Sequence, residues 1–326
     1  MKRIATFRRA LAAAILTGTA AVTAAQTYPT RPVTWVVPFA PGGITDHTSR
    51  IIAKYLTGEL GQQVVVENRP GAGGSLGTEQ VARAAPDGHT LIYGTQGTMA
   101  ANPFLYRSLR YQPLRDFVPV HAMFASPNLI VANASRPFRT LAELVAHGRA
   151  NPGTLTMASA GPGTATHLAG ELMQAVTGIR MTHVPYKGSA PALTDLIGGQ
   201  TDVMFDYAVS AGPHVKSGRL RGLAVTAGVR LAMLPDVPTT VEAGIEGIDT
   251  SSWSGVFAPV KTPPEIVARL IRAMESAMAS AEAVKYAEQH GSRILTGITG
   301  PKFGAFVEAD TARWRDVIRR ADVKLD

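Results

Sequence analysis

Cysteine is absent from all 326 residues. That excludes disulfides, thiolate metal sites, cysteine nucleophiles and a lipid-anchored N-terminal cysteine. Clustered His/Asp sets and an H-E-x-x-H pattern are missing too, so nothing in the sequence suggests a metal. No basic stripe with interleaved aromatics is present, which argues against nucleic acid as a partner. The formal charge is +8, but Lys2, Arg3, Arg8 and Arg9 sit in the first few residues; without them 28 basic residues face 24 acidic ones, a net +4 spread along the chain. Such an excess helps to attract anions and does little else.

Those four bases precede an uncharged run, Ala10 through Ala24, that ends in small residues at Thr23-Ala24-Ala25. A positive region, a short apolar region and an A-x-A-like site describe a cleaved secretory signal, too short and too rich in Ala and Thr for a membrane span. The signal is expected to cover 1–25, with the mature chain beginning near Gln26. Arg8-Arg9 admits twin-arginine export, but the flanking residues match it poorly, so general secretion is expected.

From Val33 onward the segments alternate. Val33–Val37, Val64–Glu67 and Thr90–Gly94 read as buried strands, with helices over about 44–60 and 75–84 between them. After an aromatic, Pro-punctuated stretch, Val118–Val131 is too long for one parallel strand and is expected to pass between two bodies. A second series follows: a Thr140/Glu143 capping box, a strand Leu155–Ser159, a helix Thr164–Thr177, a strand Met181–Pro185, a helix capped by Ser189, a strand Val203–Asp206, a short helix holding Pro213–Ser217 and a strand Leu220–Thr226. Trp253–Pro259 reads as the return crossing. Helices follow from a Thr262 cap, over about 282–290 and over about 301–320. The fold expected is α/β, two lobes each built on a doubly wound, mostly parallel sheet, joined by a two-strand hinge. Residues 26–126 with 251–326 form one lobe and 127–250 the other. A two-strand hinge permits closure around a ligand.

The stretch Pro38 to Asp46 (PFAPGGITD) turns from strand to helix on Gly42 and Gly43. Such a turn leaves bare N–H groups at the helix start, a cradle for an anion. The same grammar recurs at Tyr93 to Thr98, Ala158 to His167 and Val184 to Ser189, so several helix N-termini are expected to converge on one small acid. Ser159, Gly163 and Thr164 offer hydroxyls and a backbone donor at a helix start. Asp46 either contacts ligand or complements its helix; His167 faces either ligand or core. Lys187 is the one cation in the cleft loops. Asp206 ends an apolar strand, where it is expected to accept from a water, a ligand hydroxyl or amine, or a nearby N–H.

Several motifs together resemble one family: Arg31 to Gly43 (RPVTWVVPFAPGG), Val65 to Gly74 (VVENRPGAGG), Ala85 to Gly88 (APDG), His183 to Ala192 (HVPYKGSAPA), Asp202 to Asp206 (DVMFD) and Leu234 to Thr239 (LPDVPT). In order and spacing they resemble the Bug-type extracytoplasmic solute receptors of tripartite tricarboxylate transporters, over essentially the whole mature chain. The resemblance implies a type II periplasmic binding protein fold, a periplasmic location, and capture of a mono- or dicarboxylate between the lobes for a two-protein membrane permease. It implies no catalysis and no cofactor. A monomer is expected. Carried over by position, the ligand-binding residues are Phe39, Ala40, Gly42, Gly43, Asp46, Thr95, Gln96, Thr98, Ser159, Gly163, Thr164, Ala165, His167 and Asp206. The chain departs from the family's common pattern at His47, Gln96 and Tyr207, departures that bear on substrate rather than class.

Three other readings compete. Gly73-Gly-Ser-Leu-Gly77 fits the G-x-S-x-G pattern of an α/β hydrolase with Ser75 as nucleophile, yet Glu67 to Ala72 separates strand from serine where an elbow turns sharply. Gly71-Ala-Gly-Gly lacks dinucleotide-loop spacing and follows the second strand. A cytoplasmic effector-binding regulator conflicts with the signal and with the lack of a DNA-binding helix pair.

Overall fold

A computed structural model describes residues 28–248 and 250–321; the expected signal lies outside the described residues. Eleven strands, β1 (Val33–Val37), β2 (Val64–Asn68), β3 (Thr90–Thr95), β4 (Phe117–Pro127), β5 (Leu129–Asn133), β6 (Leu155–Ser159), β7 (Met181–Pro185), β8 (Val203–Asp206), β9 (Leu220–Val225), β10 (Ser251–Pro259) and β11 (Arg293–Ile294), form two sheets. The six-stranded sheet runs β11-β4-β10-β3-β1-β2 and the five-stranded sheet β7-β6-β8-β5-β9. In the first, only β10 and β11 oppose the common direction; in the second, only β5 does. The α/β, two-lobe architecture expected from the alternation is therefore present.

β1 shows why the first sheet forms. Its residues VTWVV pair in parallel with β2 on one side and β3 on the other, and Val33, Trp35, Val36 and Val37 are all buried. A strand covered on both faces reads as a continuous β-branched run. The chain then enters helix α1 (Ile44–Leu60), which buries Ile52, Ala53, Leu56 and Leu60 on that sheet. Gly61 ends it at φ 70, donating its N–H to the Thr57 carbonyl at 3.1 Å; an L side chain is disfavoured in that left-handed cap.

The long run at 118–131 divides at Asn128. β4 pairs with β10 in the first sheet, and β5 pairs with β8 and β9 in the second. Between them, Asn128 donates its N–H to Thr226 Oγ1 at 2.8 Å, and Thr226 donates its own to the Asn128 carbonyl at 2.9 Å. Thr226 Oγ1 also donates to the Thr250 carbonyl at 2.8 Å, which ties both crossings together.

Further helices are α2 (Ser75–Ala82), α3 (Leu141–Ala150), α4 (Ala165–Thr177), α5 (Ser189–Ile197), α6 (Ala208–Lys216), α7 (Pro264–Met278), α8 (Ala281–His290) and α9 (Gly300–Ala321). Three local expectations change. Ser189 does not cap α5 but opens it, and its hydroxyl donates to Asp206 at 2.6 Å; a buried carboxylate is the stronger acceptor. Thr262 does not cap α7, because its hydroxyl turns back to the Pro259 carbonyl at 2.7 Å and Pro263 takes the cap position. Helix α6 begins at Ala208 rather than near Pro213, which sits inside it.

The lobes are in contact. The Ala40 N–H donates to the Lys187 carbonyl at 3.0 Å, the Tyr106 hydroxyl donates to the Pro162 carbonyl at 3.2 Å, and Leu168 of α4 packs into an apolar cluster of the first lobe.

Candidate functional site

Between the sheets lies a narrow cavity lined by both lobes. One lobe contributes Phe39, Ala40, Gly43, Ile44, Thr45, Thr95 and Ser252, the other Ala160, Thr164, Ala165, Thr166, Gly188, Ser189 and Tyr207. No lining side chain is charged. Three helices begin on its wall: α1 at Ile44 and Thr45, α4 at Ala165 and Thr166, and α5 at Ser189. The first amides of a helix have no carbonyl one turn back, and among the described residues those of Ile44, Thr45, Ala165, Thr166 and Ser189 find no backbone acceptor. Each helix start carries roughly half a positive charge. The cavity thus gathers donors and positive potential without a cation.

Six of the carried-over residues line it: Phe39, Ala40, Gly43, Thr95, Thr164 and Ala165. The other eight stand behind the wall or at its edge, for reasons visible in their bonds. Asp46 accepts from the Gly42 N–H at 3.1 Å and from Arg50 Nε at 3.0 Å. Burial pushes its carboxyl up, but Arg50, the Gly42 amide and Asn68 outweigh that and hold it below the ordinary range. Its work is to shape the loop. Gly42 itself sits at the rim, where a Cβ would lie 3.2 Å from Ala190 Cβ. Gln96 turns to α9, donating to Asp310 at 3.3 Å, and Thr98 accepts from the Thr95 N–H at 3.0 Å.

Behind the α4 loop, Ser159 Oγ meets His183 Nε2 at 2.6 Å and accepts from the Gly161 N–H at 3.1 Å. The His183 ring stacks on His167 with centroids 3.9 Å apart. Burial, and then the neighbouring His167, push His183 down to about 4. His167 Nδ1 accepts from the Gly163 N–H at 3.2 Å, leaving Nε2 to face Glu171 at 3.4 Å. His167, Ser159 and Gly163 therefore brace the loop from below. Thr164 Oγ1 donates to the Gly161 carbonyl at 2.7 Å and caps α4 weakly through the His167 N–H at 3.4 Å.

Asp206 is fully buried and accepts from Ser189 Oγ and Ser210 Oγ, both at 2.6 Å. Burial pushes its carboxyl up to about 6 against the pull of those hydroxyls and of the Tyr207 amide. It positions Ser189, which lines the cavity. Lys187 is exposed, and its carbonyl accepts from the Ala40 N–H of the other lobe.

Residues that sequence reasoning missed fall into two groups. Thr45 and Thr166 lie in the first turns of α1 and α4, where the amide argument already pointed; Thr166 Oγ1 also takes the Ala160 N–H at 2.9 Å. Ser252 reaches the cavity from β10 with no loop motif to mark it; Tyr207, at the end of β8, was singled out only as a departure from the family's pattern and not as a lining residue. Ser75, the hydrolase alternative, opens α2 and accepts from Asn102 Nδ2 at 3.0 Å; no histidine bonds it among the described residues.

Two lobes on a crossed pair of strands, closed over a chargeless cavity rimmed by helix starts, define a type II periplasmic binding fold. The chain belongs to the tripartite tricarboxylate transporter family of receptors: that family's model matches residues 48–323. It is similar to protein BugT of Bordetella pertussis, 37% identical over 310 residues that cover 94% of each chain. Among solved structures it is similar to Rhodopseudomonas palustris Rpa4515 with adipate, at 38% identity and TM-score 0.87, covering 91% of this chain and 100% of that one. It is likewise similar to MatC from the same organism with bound malate, at 37% identity and TM-score 0.84, covering 89% and 100%. The protein is accordingly a Bug-type solute receptor rather than an enzyme.

Proposed function

We propose that this receptor captures a small organic acid, a mono- or dicarboxylate, between its lobes in the periplasm and delivers it to a two-protein integral membrane permease. The observation that carries the reading is the meeting of three helix N-termini on one cavity without a charged side chain. Solved relatives that hold adipate and malate support it. Residues 26–126 with 251–326 and residues 127–250 move as two bodies, and a ligand that touches both favours their closed arrangement. The receptor works as a monomer. Residues 1–25 are removed on export, so intact-mass measurement of periplasmic material should show a chain beginning close to Gln26; retention of Met1 would contradict this.

Charge is handled by N–H groups and hydroxyls. Calorimetric titration of Thr164→Val with a bound carboxylate should show affinity lower by about 1–3 kcal/mol, since a polar contact is lost at nearly constant volume. Lys187→Met, which removes an exposed charge, should cost less. The reverse order would mark a conventional ion-pair site.

A further inference from the structure

We propose that Tyr207 sets the length of acid the receptor accepts, an inference that rests on the carboxylate reading above. Beside the main cavity lies a second, smaller chamber lined in part by Thr48, Tyr93 and Trp253. The two share five wall residues, Ile44, Thr45, Thr95, Tyr207 and Ser252, of which only Tyr207 carries a ring.

That ring is held at its root and buried along its length. Its backbone is the N-cap of α6, the Tyr207 carbonyl accepting from the amides of Ser210 at 3.1 Å and Ala211 at 2.9 Å. The residue is only 9% exposed, and its ring lies in the wall of both spaces beside Ser252 of β10. A buried side chain rooted at a helix cap cannot swing aside at little cost. The ring therefore stands as a partition at the hinge end of the cavity.

A carboxylate seated on the starts of α1, α4 and α5 directs the rest of its ligand away from them. A short acid ends before the partition. A longer one must enter the second chamber, whose walls are uncharged and hydroxyl-bearing, with Thr48 Oγ1 and the Tyr93 hydroxyl 2.8 Å apart. That space suits the far end of a flexible acid once the ring is gone.

The test titrates the mature protein with malonate, succinate, glutarate and adipate. The wild type should bind the shorter acids more tightly. Tyr207→Ala should raise the affinity for adipate relative to succinate by roughly tenfold, and Tyr207→Phe, which keeps the ring, should keep the wild-type order. Tyr207→Leu shortens the ring while staying apolar, and should shift the order in the same direction if the alanine variant fails to fold. An unchanged order in folded Tyr207→Ala or Tyr207→Leu, with acids still bound, overturns the partition and leaves the carboxylate reading standing. A wild type that binds none of the four acids overturns both.

Discussion

Gly97→Ala should lower ligand affinity by roughly 100-fold, about 2.8 kcal/mol, without touching the ligand. Gly97 opens the turn after β3, and in the closed arrangement a Cβ there would lie 2.8 Å from the Gly163 carbonyl oxygen of the other lobe. That oxygen is backbone and has no rotamer by which to withdraw. Gly97 does not sit at positive φ, so alanine brings no local strain. The cost falls on closure alone. Gly73 also faces the other lobe, a Cβ meeting the Pro162 carbonyl, but its φ of 58 would confound the result. Calorimetry gives the affinity, and small-angle scattering should show the wild type compacting with ligand while the variant stays extended. Wild-type affinity and compaction in Gly97→Ala would show that the lobes do not need this contact to close.

The second large effect is in pH dependence, where two buried groups oppose each other. Asp206 is raised to about 6 from an ordinary 3.8, so the folded state binds its proton more tightly than the unfolded chain. Its contribution is fully present below about 4 and is lost as pH rises through about 6. His183 is lowered to about 4 from 6.5, so its contribution is present above 6.5 and is lost as pH falls through about 4. Across the same acidic window the two slopes cancel in the wild type. Asp206→Asn removes one of them, and its stability relative to wild type should rise by on the order of 3 kcal/mol between pH 4 and pH 7. His183→Gln should tilt the difference the other way, by less, because solvent reaches the half-buried ring and screens it. Urea unfolding at both pH values reads the differences, in which the remaining carboxylates cancel. Parallel curves for all three proteins would contradict the assignment.

Much of this site was legible because strand, glycine and helix start make a backbone device that sequence writes openly. Pro38 to Asp46 and Ala158 to His167 were placed at the cavity for that reason, and residues of both loops line it. Their side chains were harder to place. Asp46, Ser159 and His167 fall in the right loops yet point behind them, since a loop that presents bare N–H groups needs its polar side chains as braces. Whether a first-turn residue faces the ligand or the brace depends on rotation about the helix axis. Thr166 and Thr45 line the cavity while His167 does not, and spacing alone does not separate them. Ser189 illustrates long-range competition: as a cap it is a sound local reading, but Asp206 of a different strand offers a better acceptor. Ser252 reaches the cavity only through the pairing of distant strands and carried no local mark, while Tyr207 was marked only as a departure from the family's pattern.

The central claim is that an anion is held between the lobes by helix starts rather than by a cation. A crystal structure of the mature protein with its tightest-binding acid tests it most directly. Carboxylate oxygens should lie about 2.7–3.2 Å from the amides of Thr45 and of Ala165 or Thr166, directly or through one ordered water. A carboxylate paired to Lys187 or to any arginine, or seated outside this cavity, would contradict it.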